Sequence, residues 1–285
     1  MPLIGVHESI SGGPHKALLR GKDKGCEIIQ SFTRFRLRWK AKELTDSEIE
    51  IFNKSREETG VIPVSIHSSY LINLSSPHRE IRKKSYSLLL AEIEWTRKLN
   101  IPFLILHPGF HMGMGEERGL RKISDSISHA IAESEGSGVH ILLETTSGQG
   151  TSLGWRFEHL RDIIDLSDKS EYLGVCFDTC HVFAAGYDFR NEEAYRQTME
   201  KFDKVVGNKR LKFFHINDSK TELGSRIDRH NHPGKGNIGM KPFSFFLNDP
   251  EFTDHPFILE TPKEVHNTGI DMDIINLKAL KKLME

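Results

Sequence analysis

Several side chains able to hold a metal ion follow directly on short apolar runs. His215 comes after Leu211–Phe214; thirteen residues on stands Asp228-Arg229-His230, then a loop carrying Gly234, Gly236 and Gly239. The same arrangement recurs along the chain. His67 follows Ile62–Ile66, His107 follows Phe103–Leu106, and Glu144 follows His140–Leu143. Asp178 and His181 follow Leu173–Phe177, and Glu260 follows Pro256–Leu259. Imidazole with carboxylate is the donor set zinc prefers. One His or Glu at the end of a strand is more often structural. Five imidazoles and four carboxylates brought to one place are different, because they would repel and desolvate one another without cations. Nine donors exceed what one ion uses, so two or three ions are expected, with a carboxylate bridging a pair. Clusters of that kind hydrolyse phosphate esters: a pair of ions activates water and shares the charge on the attacking and leaving oxygens.

The elements that must bring these residues together are legible as a strand–helix alternation. Apolar runs at Leu3–Val6, Glu27–Phe32, Ile62–Ile66, Phe103–Leu106, His140–Leu143, Leu173–Phe177, Leu211–Phe214 and Pro256–Leu259 read as eight strands. Several are continuous rather than alternating, as strands covered on both faces are. Thr45-Asp46-Ser47-Glu48 is a capping box that opens a helix running to about Thr59. Ser76-Pro77 reads as an N-cap with proline at the first helical position, leading to a long helix that ends near Leu99. Further helices are expected at Glu116–Glu135, Trp155–Leu166, Glu192–Val206 and Asp273–Met284. In the segment from Glu192, Ala194, Tyr195, Met199, Phe202, Val205 and Val206 share one face at helical spacing. With about 36 residues per unit over 285 residues, the alternation spells an α/β chain folded as a (β/α)8 (TIM) barrel. Residues 1–285 form a single domain in this reading, with the metal site at the C-terminal mouth of the strands. The alternative is an open doubly wound sheet, which the absence of a Gly-rich fingerprint after the first strand disfavours.

Composition bounds the function further. Charged residues at 28% and apolar ones at 37% describe a globular chain with ample core. No apolar run is long enough to cross a membrane. The opening MPLIGVHESISGG lacks the parts of a signal peptide, so a cytoplasmic location is expected. Cys26, Cys176 and Cys180 match no zinc ribbon or redox pair and read as small core residues. A net charge of −1 argues against a simple polyanion binder. Three divalent ions against four carboxylates would reverse that sign locally.

The motifs together resemble the endonuclease IV family of zinc-dependent apurinic/apyrimidinic endonucleases. They are His67-Ser68-Ser69-Tyr70-Leu71-Ile72-Asn73-Leu74, His107-Pro108-Gly109, Leu143-Glu144-Thr145-Thr146 through Gly148-Gln149-Gly150, and Phe177-Asp178-Thr179-Cys180-His181. His215-Ile216-Asn217-Asp218-Ser219 through Asp228-Arg229-His230 and Leu259-Glu260-Thr261-Pro262 complete the set, which spans nearly the whole chain. The resemblance implies three zinc ions per chain. His67, His107 and Glu144 would hold one. Glu144 would bridge to a second, held also by Asp178, His215 and Glu260. His181, Asp228 and His230 would hold the third. A hydroxide between the first two would attack the phosphorus 5′ to an abasic site in duplex DNA, with Glu144 and Glu260 as catalytic residues. The implied products are a 3′-hydroxyl and a 5′-deoxyribose phosphate, and 3′-blocking phosphates would be trimmed as well. A monomer acting on damaged double-stranded DNA is expected.

Damage recognition in this resemblance reads shape, since an abasic nucleotide is easily extruded. Tyr70 and Leu71 match the family's minor-groove insertion loop, an apolar wedge; the plain alternative is that they merely cover the barrel mouth. The basic run Arg34-Phe35-Arg36-Leu37-Arg38-Trp39-Lys40 suits phosphate contact through Arg36 and Arg38. It departs from the family, in which many members carry Asn and Arg where this chain has Phe35 and Leu37, so the DNA-inserting arginine is open while the metal motifs are intact. Gln149 and Arg229 fall in loop motifs near the DNA; a structural ion pair is the other reading of Arg229. Asn217 and Asp218 are expected to orient ligands. His7 and His111 lie near strand ends but stand outside the metal set, as structural residues or supports behind the ligands. Two rivals remain: a barrel sugar isomerase or epimerase with one or two metals, and a damage-binding protein that has lost catalysis.

Overall fold

A computed structural model describes residues 1–33, 39, 43–134 and 136–284. Eight parallel strands close into a barrel: β1 (Leu3–Glu8), β2 (Ile28–Phe32), β3 (Ile62–His67), β4 (Phe103–Leu106), β5 (His140–Glu144), β6 (Leu173–Asp178), β7 (Leu211–His215) and β8 (Pro256–Leu259). Each pairs with its neighbour in sequence, and β8 closes on β1 through Leu3↔Pro256 to Val6↔Leu259. The helices α1 (His15–Asp23), α2 (Asp46–Thr59), α3 (Arg79–Lys98), α4 (Glu116–Glu133), α5 (Phe157–Asp165), α6 (Thr179–Ala185), α7 (Glu192–Val205) and α8 (Phe243–Leu247) lie between the strands in sequence, and α9 (Met272–Lys281) follows β8. This is the TIM barrel expected from the alternation. No helix among the described residues is long and apolar enough to cross a membrane.

The strands read as continuous apolar runs because each is covered on both faces. Outward residues such as Ile4, Val6, Ile29, Leu104, Leu143 and Phe214 join the helices in one large core. Inward residues Ile28, Val64, Ile105, Leu142, Cys176, Phe213 and Ile258 form a separate apolar layer inside the barrel. The strand β1 contributes Gly5 at this level, where a Cβ would fall 1.8 Å from the Ile28 carbonyl oxygen. Side chains alternate with period two, so the next inward position toward the mouth lies two residues on. Those positions are His7, Gln30, His107, Glu144, Asp178, His215 and Glu260. On β3 the step is irregular. Register passes from Ile29↔Pro63 to Gln30↔Ser65, leaving Val64 as an extra residue. Proline lacks the N–H of a regular ladder and is tolerated at such irregularities. The shift sets Ser65 opposite Gln30 and carries His67 to the mouth.

Helix boundaries depart from the sequence reading at α3, α5 and α9. The helix α3 begins at Arg79, with His78 as N-cap, not at Ser76-Pro77. The Ser76 hydroxyl accepts from the His78 amide two residues on, and Arg82 donates to the Ser76 and Pro77 carbonyls, so that stretch is a turn. The helix α5 starts at Phe157 after Arg156, and α9 runs from Met272 to Lys281 behind the Asp271 cap. The helices α1, α6 and α8 were not anticipated; α6 follows β6 without a linker, capped by the last residue of the strand. The Thr45–Glu48 capping box on α2 is formed as expected.

Candidate metal centre

The strand ends bring the sequence-selected donors into one cluster, buried at its centre and open toward His107, Asp228 and His230. Glu144 is its centre. Its carboxylate lies 3.1 Å from His67 Nε2, 2.9 Å from His107 Nε2 and 2.9 Å from His215 Nδ1. His215 Nδ1 is also 3.4 Å from Glu260 Oε2 and 3.8 Å from Asp178 Oδ2. Beside this group, His181 Nε2 is 3.2 Å from Asp228 Oδ2 and His230 Nε2 is 3.4 Å from Asp228 Oδ1. The donor atoms assemble into adjoining sets, each within 4.8 Å: His67, His107 and Glu144; Glu144, Asp178, His215 and Glu260; Asp178, His181 and His230. Glu144 and Asp178 each belong to two of them, and Asp228 falls in a further set with Cys180 and His230. His7 and His111 belong to no such set among the described residues.

Hydrogen bonding tests whether these donors fit metal ions. A carbonyl oxygen only accepts, so a ring nitrogen bonded to one carries the proton. His67 Nδ1 donates to the Ser68 carbonyl at 2.8 Å, His181 Nδ1 to the Thr145 carbonyl at 2.8 Å, and His230 Nδ1 to the Glu260 carbonyl at 3.2 Å. His215 Nε2 donates to Gln30 Oε1 at 3.0 Å. In the neutral ring the other nitrogen of each therefore presents a lone pair to the cluster. The Nε2 atoms of His181 and His230 face each other at 3.2 Å beside the Asp228 carboxylate. Lone pairs aimed at lone pairs and carboxylates need a cation or a proton between them. Outer hydrogen bonds that fix the tautomer are the usual support of metal-binding histidines. The residues present fit divalent ions of the zinc type.

A proton is the alternative to a cation between these groups, and the surroundings of the histidines favour it. Burial opposes protonation of His67, but hydrogen bonding to Glu144 and the Glu260 charge overcome it and raise its pKa. His181 is raised well above its usual value despite burial, by Asp178 and Asp228. His215 is raised well above it too, burial being outweighed by the Glu260 and Glu144 carboxylates. Burial disfavours ionised Glu144 and Glu260, yet the surrounding imidazoles hold both carboxyls well below the usual range.

Two residues outside the sequence-based set complete the support. Gln30, fully buried, joins four groups: Oε1 accepts from His215 Nε2 and, at 2.8 Å, from Ser65 Oγ, while Nε2 donates to Glu260 Oε1 at 2.6 Å and His7 Nδ1 at 2.9 Å. His7 lies 3.2 Å from Glu260 Oε1, and burial pulls its pKa down to about 4, so it is a neutral imidazole. His7 is expected from the sequence to be a structural or supporting residue; the signal that could have found Gln30 is strand periodicity, since it occupies the inward position at its strand's mouth.

Local structure positions the rest. Asp178 Oδ1 caps α6 through the His181 amide at 2.8 Å, which sets His181 one turn into that helix. Asn217 Nδ2 donates to Asp178 Oδ2 at 2.7 Å and its Oδ1 accepts from the Glu260 amide at 2.8 Å, the orienting role expected of it. Asp218 has a different task. Its carboxylate accepts from the amides of Ser219, Gly236, Ile238 and Gly239, so it organises the loop that carries Asp228 and His230 instead of a ligand. Gly236 is required there, because a Cβ would fall 2.2 Å from the Ser219 carbonyl oxygen. Gln149 accepts from the Asp228 amide at 3.1 Å, tying the loop after β5 to this one. The buried thiols of Cys176 and Cys180 are pushed up to about 12 by burial. Cys180 nonetheless comes within 4.8 Å of donor atoms on Asp228 and His230, a proximity its spacing did not reveal.

Two cavities flank the cluster. One, of about 530 Å³, is lined by His107, Phe110, Gln149, His181 and Asp228 among others. The second, of about 460 Å³, holds Tyr70, Asp228, Glu260 and three cations, Lys220, Arg229 and Lys263. Tyr70 is 48% exposed, its ring 5.3 Å from that of His67 and 5.6 Å from that of His107. Leu71 is half-buried and packs against the core. Arg229 donates to the Asp228 carbonyl at 2.6 Å and is otherwise at the surface. Arg36 and Arg38 lie outside the described residues.

A closed (β/α)8 barrel with adjoining histidine–carboxylate sets at its C-terminal mouth defines a metal-dependent barrel enzyme. A family model described as "Xylose isomerase-like TIM barrel" matches residues 19–280. The chain is 47% identical over 287 residues to a "Probable endonuclease 4" of Chloroflexus aurantiacus, covering 100% of this chain and 99% of the relative. It is 46% identical to that of Geobacter sulfurreducens, covering 99% and 94%. The crystal structure of endonuclease IV from Thermus thermophilus superposes with a TM-score of 0.84 at 33% identity, over 99% of this chain and 98% of that one. A D-tagatose 3-epimerase-like protein shares the fold alone, with a TM-score of 0.75 at 18% identity over 98% of this chain and 96% of that one. The chain belongs to the endonuclease IV family and is a hydrolase of that class.

Proposed function

We propose that this chain hydrolyses the phosphodiester bond 5′ to an abasic nucleotide in duplex DNA, leaving a 3′-hydroxyl and a 5′-deoxyribose phosphate, and clears 3′-blocking phosphates at the same site. The observation that carries the reading is the set of lone pairs directed at one another, above all His181 Nε2 and His230 Nε2 at 3.2 Å beside Asp228. In this reading His67, His107 and Glu144 hold one zinc ion, and Glu144, Asp178, His215 and Glu260 hold a second. A third belongs to His181, Asp228 and His230. Bound there, zinc ions supply a water of lowered pKa as nucleophile and neutralise charge on the phosphate.

The protein's own part is to hold and orient. Glu144 and Glu260 keep their charge in a buried site, and Gln30 fixes the faces of Glu260 and His215. Lys220, Arg229 and Lys263 offer positive charge to the DNA backbone along the second cavity. Tyr70 and Leu71 form an apolar wedge at the mouth, which an unstacked abasic step admits at low cost. Gln149 and the Arg36–Arg38 segment complete the proposed DNA contacts.

The test is a duplex with one abasic site, incubated with and without a chelator. Nicking on the 5′ side, abolished by the chelator and indifferent to added magnesium, supports the reading. Tight binding without cleavage replaces it with a damage-binding protein. Metal analysis should give close to three zinc ions per chain, and a firm count of one overturns the trinuclear assignment.

A further inference from the structure

We infer that Phe110 is a stacking platform for a nucleobase next to the cleavage site, placed on the opposite cavity from the Tyr70–Leu71 wedge. The inference rests on the nuclease reading and adds a recognition residue to it. Phe110 sits three residues beyond the candidate ligand His107 and is 42% exposed. It lines the 530 Å³ cavity together with His107, His181 and Asp228, whereas Tyr70 lines the other; Asp228 is common to both. Two exposed aromatics thus address the cluster from separate cavities.

The backbone of Phe110 is held with unusual thoroughness for an exposed residue. Its amide donates to Asn73 Oδ1 at 3.1 Å, and its carbonyl accepts from Asn73 Nδ2 at 3.0 Å and Ser75 Oγ at 2.9 Å. Asn73 and Ser75 are themselves buried. Gly109–Phe110 also pairs with Ser152–Leu153 in a short antiparallel ladder. The preceding Gly109 has φ 115°, and a Cβ there would lie 2.7 Å from Asn73 Oδ1. Met112, 46% exposed, continues the apolar edge with φ 48°, its amide donating to Thr151 Oγ1 at 3.2 Å. A ring on so fixed a backbone loses little freedom when covered. Its flat apolar surface beside a hydrolytic centre has the chemistry of a base-stacking platform, which tolerates any sequence because every base has a π-face. The occupant is the substrate's own base, because the cavity this ring lines is continuous with the donor cluster.

The test uses the metal-loaded enzyme and abasic duplexes carrying 2-aminopurine at successive positions around the lesion. Stopped-flow fluorescence is recorded before cleavage. The parent should quench or shift the probe at one flanking position. F110A should lose that signal, and KM should rise about tenfold, with most of the loss in kcat/KM carried by KM. F110Y, which keeps the ring, should stay within about twofold of the parent. F110A indistinguishable from the parent in both readouts overturns the platform, as does F110Y impaired as badly as F110A. A parent that shows the Phe110-dependent signal without nicking would remove the nuclease reading and leave the platform standing; nicking without Phe110 dependence does the reverse.

Discussion

Replacing Gln30 by leucine should weaken metal binding although Gln30 touches no metal in the proposed site. The substitution is close in volume, so packing against the barrel interior is little changed. It strands the Nε2–H of His215 and the hydroxyl of Ser65, both buried, and removes the donor to Glu260. A buried group left without a partner costs ~1–3 kcal/mol, so two cost about 2–6 kcal/mol. At roughly 2–4 °C per kcal/mol for a large domain, Tm falls by about 4 °C or more. Loss of the orienting partner frees His215 to turn or change tautomer, which typically lowers metal affinity about 10- to 100-fold. The assay is chelator-competition titration with zinc, alongside thermal unfolding of the loaded protein. Ser65→Ala is the control. It removes one donor to Gln30 Oε1 but leaves His215 its acceptor, so zinc affinity should hold within about threefold. Q30L that keeps parental zinc affinity would refute the argument that tautomer control at His215 supports the site.

Glu260→Gln should lower turnover by about two orders of magnitude or more with the fold retained, checked by nicking rate and circular dichroism; unchanged turnover removes Glu260 from its role. Gly236→Ala should cost about one zinc per chain by metal analysis, because the new Cβ would press on the Ser219 carbonyl and the Asp218 carboxylate that hold the loop of Asp228 and His230. In the metal-free protein the cluster's own contribution to stability should be greatest between roughly pH 4.5 and 6.5, opposed by His7, whose lowered pKa makes its contribution full above 6.5 and lost as pH falls. His67, His181 and His215 are raised above 6.5, so their contribution is full below that value and is lost as pH rises through their folded pKa values. Glu144 and Glu260 are depressed below 4.5, so theirs is present above that value and lost as pH falls. Zinc should extend the plateau to higher pH and release protons on binding; Tm against pH with and without chelator, and calorimetry in two buffers of different ionisation heat, measure this.

The barrel and its candidate ligands were legible because both rest on local pattern. Strands covered on two faces are continuous apolar runs, and each run here matches a barrel strand to within two residues at either end. A metal donor at the strand's mouth then follows from where barrel strands point, which is why His67, His107, Glu144, Asp178, His215 and Glu260 could be read directly. The short helix α6 was not legible, because Asp178 ends a strand and caps a helix at once, leaving no linker to mark the change.

Gln30 and Ser65 escaped for another reason. A buried glutamine in an apolar run looks like an interruption until the register across neighbouring strands is known. That register depends on the irregularity opposite Ile29 and Gln30, which only the closed sheet defines. The tasks of Asp218 and Gln149 likewise depend on loops distant in sequence meeting in space. What the sequence determined by itself was the kind of protein: residue types and strand periodicity are properties of short segments. Which nitrogen of each histidine faces the cluster, and which neighbours hold it there, was decided by the tertiary structure, since those bonds join residues up to 185 positions apart.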